Sequence, residues 1–321
     1  MTPSIVSAVD VTKSYGLSAG VFEMDLDVGR GQIVGLIGPS GSGKTTTVRL
    51  MTGIIAPDSG ELRVLGARPT EFSSRIRSRL GYMPQDSALY PDLTLRENLD
   101  FAASLYGMPL RRAKAMQSIV ELVELGSALD RRPGEASGGE QRRAMLAASL
   151  VHQPDLVFLD EPTAGIDPVL RRKFWDRFEE LSAEGRTLII TTQYVGEAAY
   201  CDYVAVLDQG RVLAYETPDD LRRKAFQGEV IELSFRTPPS PEAITALEER
   251  VIGSPMTWLD TRTARAVVDD AGATTPELAV WAEEQDLDLE KAETYLPPFD
   301  DVFVRLIEKL GERSEEGEPV D

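Results

Sequence analysis

The stretch Gly38-Pro39-Ser40-Gly41-Ser42-Gly43-Lys44-Thr45 lies between an apolar run at 32–37, Gln-Ile-Val-Gly-Leu-Ile, and the periodic segment Thr46-Thr-Val-Arg-Leu-Met at 46–51. It reads as strand, phosphate-binding loop and helix. Glycines at 38, 41 and 43 let the backbone turn tightly and aim successive N–H groups at phosphate oxygens, and the helix behind them adds its positive end. In this pattern Lys44 reaches the β and γ phosphates and the Thr45 hydroxyl ligates Mg²⁺.

Working outward, Ile5 to Val11 and Val21 to Val28 alternate apolar and polar residues, as antiparallel strands with one wet face do. Between them stands Tyr15, which fits both a strand-end aromatic and an adenine-stacking ring. On the other side of the loop, Gln85 follows a short apolar strand. From Asp86 to about Leu150 the periodicity turns helical, a helical insertion within an α/β domain. That insertion runs into Ser137-Gly138-Gly139-Glu140, a helix start that can serve as a plain cap or as a second anion cradle.

The buried-strand pattern at 155–159, Asp-Leu-Val-Phe-Leu, ends in Asp160-Glu161-Pro162. Paired carboxylates at the C-terminal end of a parallel strand stand where an open α/β sheet binds ligands. Asp160 is placed to hold Mg²⁺ and Glu161 to orient or deprotonate an attacking water. Strand patterns at 186–191 and 202–207 alternate with a helical pattern at 169–181, which indicates a mainly parallel sheet.

Composition bounds the function. The chain has 321 residues and a formal charge of −19, from 53 acids and 34 bases, which argues against nucleic acid as a partner. One cysteine, Cys201, excludes an internal disulfide and reads as a small buried apolar residue. One histidine, His152, excludes histidine triads and multi-histidine metal sites, and its loop setting predicts a surface role. No run approaches the ~18 apolar residues of a membrane span, and Met1-Thr-Pro-Ser does not open a basic, apolar leader, so a cytoplasmic location is expected.

The first domain is expected to cover residues 1–228, with its helical part at about 86–150. Residues 229–310 read strand, helix, strand, strand, helix, strand and a last helix, a small α+β domain in ferredoxin-like order. The helix of that domain after the second hairpin is expected at 276–285. An acidic tail, 311–321, has the composition of a disordered segment.

Taken together, residues 4 to about 228 resemble the nucleotide-binding subunit of ABC transporters, in the order and spacing of every motif. The resemblance implies a P-loop cassette with a helical and an antiparallel β subdomain. It implies that Tyr15 stacks on adenine, that Gly38 through Thr45 with Thr46 hold the phosphates of ATP, and that Gln85 senses Mg²⁺ and the water. Ser137-Gly138-Gly139 match the signature segment, with Glu140 where glutamine is common. Asp160 and Glu161 match the strand-end pair, and Ala164-Gly165-Ile166-Asp167 the loop that crosses a dimer interface. Gln193 stands where the family usually carries histidine. This glutamine, Tyr194-Val-Gly-Glu-Ala198 and the C-terminal Pro298-Phe-Asp-Asp-Val302 resemble the exporter branch typified by daunorubicin-resistance ATPases.

The resemblance therefore implies an ATP- and Mg²⁺-dependent ATPase at the cytoplasmic face of the membrane. Two copies sandwich two ATP molecules and drive export of an amphipathic compound through a separate membrane subunit. Apart from the resemblance, the apolar side chains of the loop-rich stretch after Gln85, Leu89-Tyr90-Pro91 and Leu93, are expected either against a helix of that subunit or in the core. Transport of a lipid, polysaccharide or sodium, a soluble ATP-gated clamp, and a weakly hydrolysing scaffold are the alternatives.

Overall fold

The computed structural model describes residues 4–16, 19–109, 112–251 and 256–316. They form two compact units that divide at Thr217/Pro218.

In the first unit the chain runs β1 (Val6–Ser14), β2 (Gly20–Val28), β3 (Ile33–Ile37), α1 (Lys44–Met51), β4 (Ser59–Val64), the single-turn α2 (Ser74–Arg77) and β5 (Leu80–Met83). The helical part follows, α3 (Leu95–Leu105), α4 (Ala113–Leu122) and α5 (Gly138–Leu150). Then come β6 (Leu156–Asp160), α6 (Pro168–Ala183), β7 (Thr187–Thr192), β8 (Tyr203–Asp208) and β9 (Arg211–Glu216). Six strands make one sheet in the order β5-β6-β7-β3-β8-β9, parallel except for the β8–β9 hairpin. A second, antiparallel sheet has the order β2-β1-β4.

Burial follows from these layers. Every residue of β3 and β6 is buried, as strands covered on both faces must be. Val34 and Leu36 of β3, Val48 and Met51 of α1, and Val6, Val11 and Met24 of the antiparallel sheet belong to one apolar cluster. Full burial of each such side chain contributes about 1.5–3 kcal/mol. α3 begins at a capping box in which Thr94 and Glu97 satisfy each other's backbone N–H.

The second unit holds α7 (Pro218–Phe226), β10 (Glu229–Phe235), α8 (Pro241–Arg250), β11 (Thr257–Trp258), β12 (Thr263–Val268), α9 (Ala271–Glu284), β13 (Leu289–Tyr295) and α10 (Phe299–Glu316). Its antiparallel sheet has the order β11-β12-β10-β13, which with the two crossing helices is the ferredoxin-like arrangement. Ile231, Leu233 and Phe235 of β10, Ala266 of β12 and Leu278 of α9 share its core.

Three boundaries differ from the sequence expectation. The first domain ends at Thr217 and not at 228, because α7 packs with α10: Lys309 Nζ donates to the Ala225 carbonyl at 2.9 Å, and the Arg222 and Arg305 guanidinium groups lie over the Phe299 and Phe226 rings. α9 starts at Ala271, since Asp270 Oδ1 accepts from Ala273 N and caps a helix that Pro276 then sits inside. α10 continues to Glu316, which shortens the expected tail; residues 317–321 lie outside the described residues.

Candidate nucleotide-binding site

The phosphate loop leaves β3 and enters α1 through Gly43, whose φ of 103° is a left-handed value that glycine adopts without strain. At Gly38 a Cβ would lie 2.1 Å from the Leu207 carbonyl oxygen, so the loop closes only over a bare backbone. Lys44 is largely buried and folds onto the loop, Nζ donating to the carbonyls of Gly38 at 2.8 Å and Pro39 at 2.9 Å. Burial lowers its pKa, and the nearby Glu161 and Asp160 carboxylates oppose that shift. Ser42 Oγ is buried without a hydrogen-bond partner.

The carboxylates sit where the sheet brings β6, β7 and β3 side by side. Register pairs Asp160 with Thr191, and Thr191 with Leu36 on the other side. Asp160 is fully buried; its Oδ1 accepts from Thr191 Oγ1 at 2.5 Å and from Thr45 Oγ1 at 3.2 Å. Its Oδ2 has no hydrogen-bond partner among the described residues. Glu161 has φ +50° and its backbone N–H is shared between Thr191 Oγ1 at 2.9 Å and the Thr191 carbonyl at 3.1 Å, so one residue of β7 holds both acids. Gln85 Nε2 donates to Glu161 Oε2 at 3.1 Å. Arg142, on α5, clasps the two segments: one terminal nitrogen donates to the Gln85 carbonyl at 2.6 Å and the other to the Glu161 carbonyl at 2.9 Å.

Thus hydrogen bonds join Thr45, Asp160, Thr191, Glu161 and Gln85 into one cluster, and Lys44 lies close enough for both carboxylates to act on its charge. The remaining candidates are placed apart from it by their contacts. Tyr15 is 57% exposed, beside Lys13. Ser137 caps α5, its Oγ accepting from Glu140 N, while Glu140 reaches back to Ser137 N at 2.8 Å. Gly138 and Gly139 form the first turn of that helix, where backbone N–H groups lack helical acceptors. Asp167 caps α6 through Val169 N and Leu170 N, and those bonds hold its carboxyl below the usual range. Gln193 is exposed directly after β7.

Two residues of the cluster were missed from sequence. In the sequence Thr191 is only the last residue of a strand pattern, and Arg142 one of two arginines behind the 137–140 helix start. His152 is half-buried, against the expected surface role. Its ring stacks on Tyr106 with centroids 3.6 Å apart, and Nε2 meets the Leu80 carbonyl at 2.8 Å. Cys201 is buried, as its composition class suggests.

Comparison with known proteins agrees with this geometry. Residues 21–164 match the ABC transporter family. The chain is 34% identical to a daunorubicin resistance ATP-binding protein of Streptomyces coeruleorubidus over 98% of its own length and 97% of that protein. It is 40% identical to a Nod factor export ATP-binding protein of Rhizobium etli, covering 73% of this chain and 75% of the relative. A probable multidrug ABC transporter ATP-binding protein of Escherichia coli is 38% identical over 70% of this chain, which spans only 39% of that longer relative. Among solved structures, an ATP-binding subunit of an ABC transporter superposes with a TM-score of 0.63 at 29% identity, over 69% of this chain and 93% of that one. A dimeric ATP-binding cassette in a post-hydrolysis state, bound to ADP and Pi, gives 0.62 at 25% identity, over 66% and 98%. With the phosphate loop, the strand-end acids and the glutamine bonded to Glu161 in one place, the chain belongs to the ABC transporter ATP-binding family, a family of ATPases.

Proposed function

We propose that this chain binds and hydrolyses ATP to drive export of a small amphipathic compound through a separate membrane subunit, acting as a pair of cassettes at the cytoplasmic face of the membrane. The observation that carries the reading is the joined cluster of Thr45, Asp160, Glu161 and Gln85 at the strand ends beside the phosphate loop. The name of the Nod factor export relative supports an outward direction, and a resistance protein for daunorubicin among the relatives agrees with it. Among the described residues no helix is long and apolar enough to cross a membrane, consistent with a pore supplied by another chain.

The chemistry follows from the side chains. Gly38 to Thr46 present backbone N–H groups and the Lys44 ammonium to phosphate oxygens, and Tyr15 offers an exposed face to adenine. Mg²⁺, when bound with ATP, neutralises phosphate charge; the Thr45 hydroxyl and the unpartnered Oδ2 of Asp160 are the groups that would hold it, with Gln85 beside them. Glu161 orients the attacking water and takes its proton, steadied by the Gln85 amide. Gln193 donates its amide to the terminal phosphate in place of an imidazole, without carrying charge. Ser137, Gly138 and Gly139 of a second copy complete the site, and Asp167 lies in the loop that meets that copy.

For the membrane partner, the surface after Gln85 offers Tyr90, 51% exposed, packed edge-on against the partly exposed Phe101 at 4.8 Å. Next to it Ile54, Leu105 and Tyr106 line a groove of about 500 Å³. Leu93 is half-buried and contributes less of this surface than its sequence context suggests.

The test is steady-state phosphate release from the parent, Glu161→Gln and Gln193→Ala. The expected result is measurable release by the parent, retained ATP binding with almost no turnover in Glu161→Gln, and about tenfold or greater slowing in Gln193→Ala, the scale of a lost hydrogen bond to a charged group. A parent no faster than Glu161→Gln would leave a nucleotide-binding scaffold as the better description.

A further inference from the structure

Glu197 lies four residues after Gln193, and its side chain is 4% accessible. Both carboxylate oxygens are buried with no hydrogen-bond partner among the described residues. The cation facing them is Arg171, in the first turn of α6, with Nε 3.6 Å from Oε1, too far for a hydrogen bond and likewise without a partner. The rest of that guanidinium is engaged: it lies over the Tyr194 ring at 4.1 Å and one terminal nitrogen reaches the Ile166 carbonyl at 3.5 Å. One side chain therefore touches the residue before Asp167, the residue after Gln193 and a buried acid beyond it.

Desolvating an acid and a base without joining them by hydrogen bonds adds little stability, and an apolar pair of the same volume serves a core as well. An arrangement of this kind has value where two segments must keep, and change, a defined relation. We propose that Arg171 is a positioning residue for Gln193: clamped on Tyr194 and Glu197, it sets the reach of the Gln193 amide and ties it to the Asp167 loop, so that engagement of that loop by a second copy is felt at Gln193 of the same chain. In the engaged arrangement Arg171 Nε donates directly to Glu197 Oε1, which it faces at 3.6 Å. The inference rests on the role given to Gln193 above.

The variants are Arg171→Lys, which keeps the charge but loses the flat stacking group, and Tyr194→Leu, which keeps apolar volume and removes the ring. Each is made in the full chain, alone and with Gln193→Ala. Phosphate release should fall about tenfold in kcat with KM for ATP within about twofold of the parent, the pattern of an interaction made in the transition state. Combination with Gln193→Ala should give no further loss, because both changes remove the same contact. Hydrogen exchange without nucleotide should quicken at residues 193–197 in Arg171→Lys while residues 38–45 keep the parent rates. Parent-like kcat in both variants, losses that multiply with Gln193→Ala, or unchanged exchange at 193–197 would each overturn the inference. A parent that does not hydrolyse ATP would overturn the function proposed above, and the exchange data would still decide this link.

Discussion

Thr191 carries more of the site than its place in an apolar strand suggests. Its hydroxyl donates to Asp160 and shares the Glu161 N–H with the Thr191 carbonyl, so removing it unfastens Asp160 and leaves Glu161 held by the carbonyl alone. Thr191→Val preserves shape but costs a hydrogen bond to a charged group, about 1.5–3 kcal/mol. The expected outcome is hydrolysis slower by roughly ten- to 150-fold, with Mg²⁺-free ATP binding little changed. Equal turnover in Thr191→Val and parent, in a phosphate-release assay, would show that Asp160 is held well enough by Thr45 alone. The phosphate loop was legible in the sequence because its chemistry is local: eight consecutive residues supply loop, cation and hydroxyl. Thr191 and Arg142 were not, because each acts across strand or segment boundaries, 31 residues from Asp160 in one case and 57 from Gln85 in the other.

Among the elements, the end of α3 meets the start of β5 through a stacked ring pair. His152 stacks on Tyr106, just past α3, and binds the Leu80 carbonyl of β5. Burial is the main cause that lowers the His152 pKa from its usual value; the Leu80 bond opposes the shift and Arg186 adds to it. The folded chain therefore refuses a proton that the unfolded chain accepts. The contribution of this ring is fully present above about pH 6.5 and declines as pH falls through that value. His152→Phe keeps the stack and removes the titration. Lowering the pH from about 7.5 to about 5.5 should reduce Tm more in the parent than in His152→Phe, since no other histidine exists to titrate in that window. Parallel declines would assign the pH response to carboxylates. Element types were readable where the pattern is unambiguous, as in the continuous apolar runs of β3 and β6. Pro276 misled the reading of α9, because a proline was taken as a helix start when Asp270 had already capped one.

At the scale of the whole molecule, each unit has its own apolar cluster, one around β3 and α1 and one around β10 and α9. The nucleotide cluster draws all its members from the first. Residues 1–217 expressed alone should therefore fold and bind ATP with the affinity of the full chain, which equilibrium titration would check. Loss of binding on removal of residues 218–321 would place part of the nucleotide site in the second unit. The ferredoxin-like order was legible because β-α-β-β-α-β is a short pattern with few topologies open to it.

The sheet order also sets a schedule for synthesis. β3, the strand that leads into the phosphate loop, has β7 and β8 as its neighbours, so its pairing with Leu188 waits for about 150 further residues after Ile37. At about 5–20 residues per second on the ribosome, that wait is roughly 8 to 30 s. Through it, Ile33-Val34-Gly35-Leu36-Ile37 is an apolar strand with two open edges, the kind of segment that associates with copies of itself on neighbouring nascent chains. β1, β2 and β4 all lie within residues 6–64 and can pair early. The small antiparallel sheet is thus the first surface against which the nascent β3 can be sheltered, and substitutions that weaken it should lower soluble yield before they affect the finished enzyme.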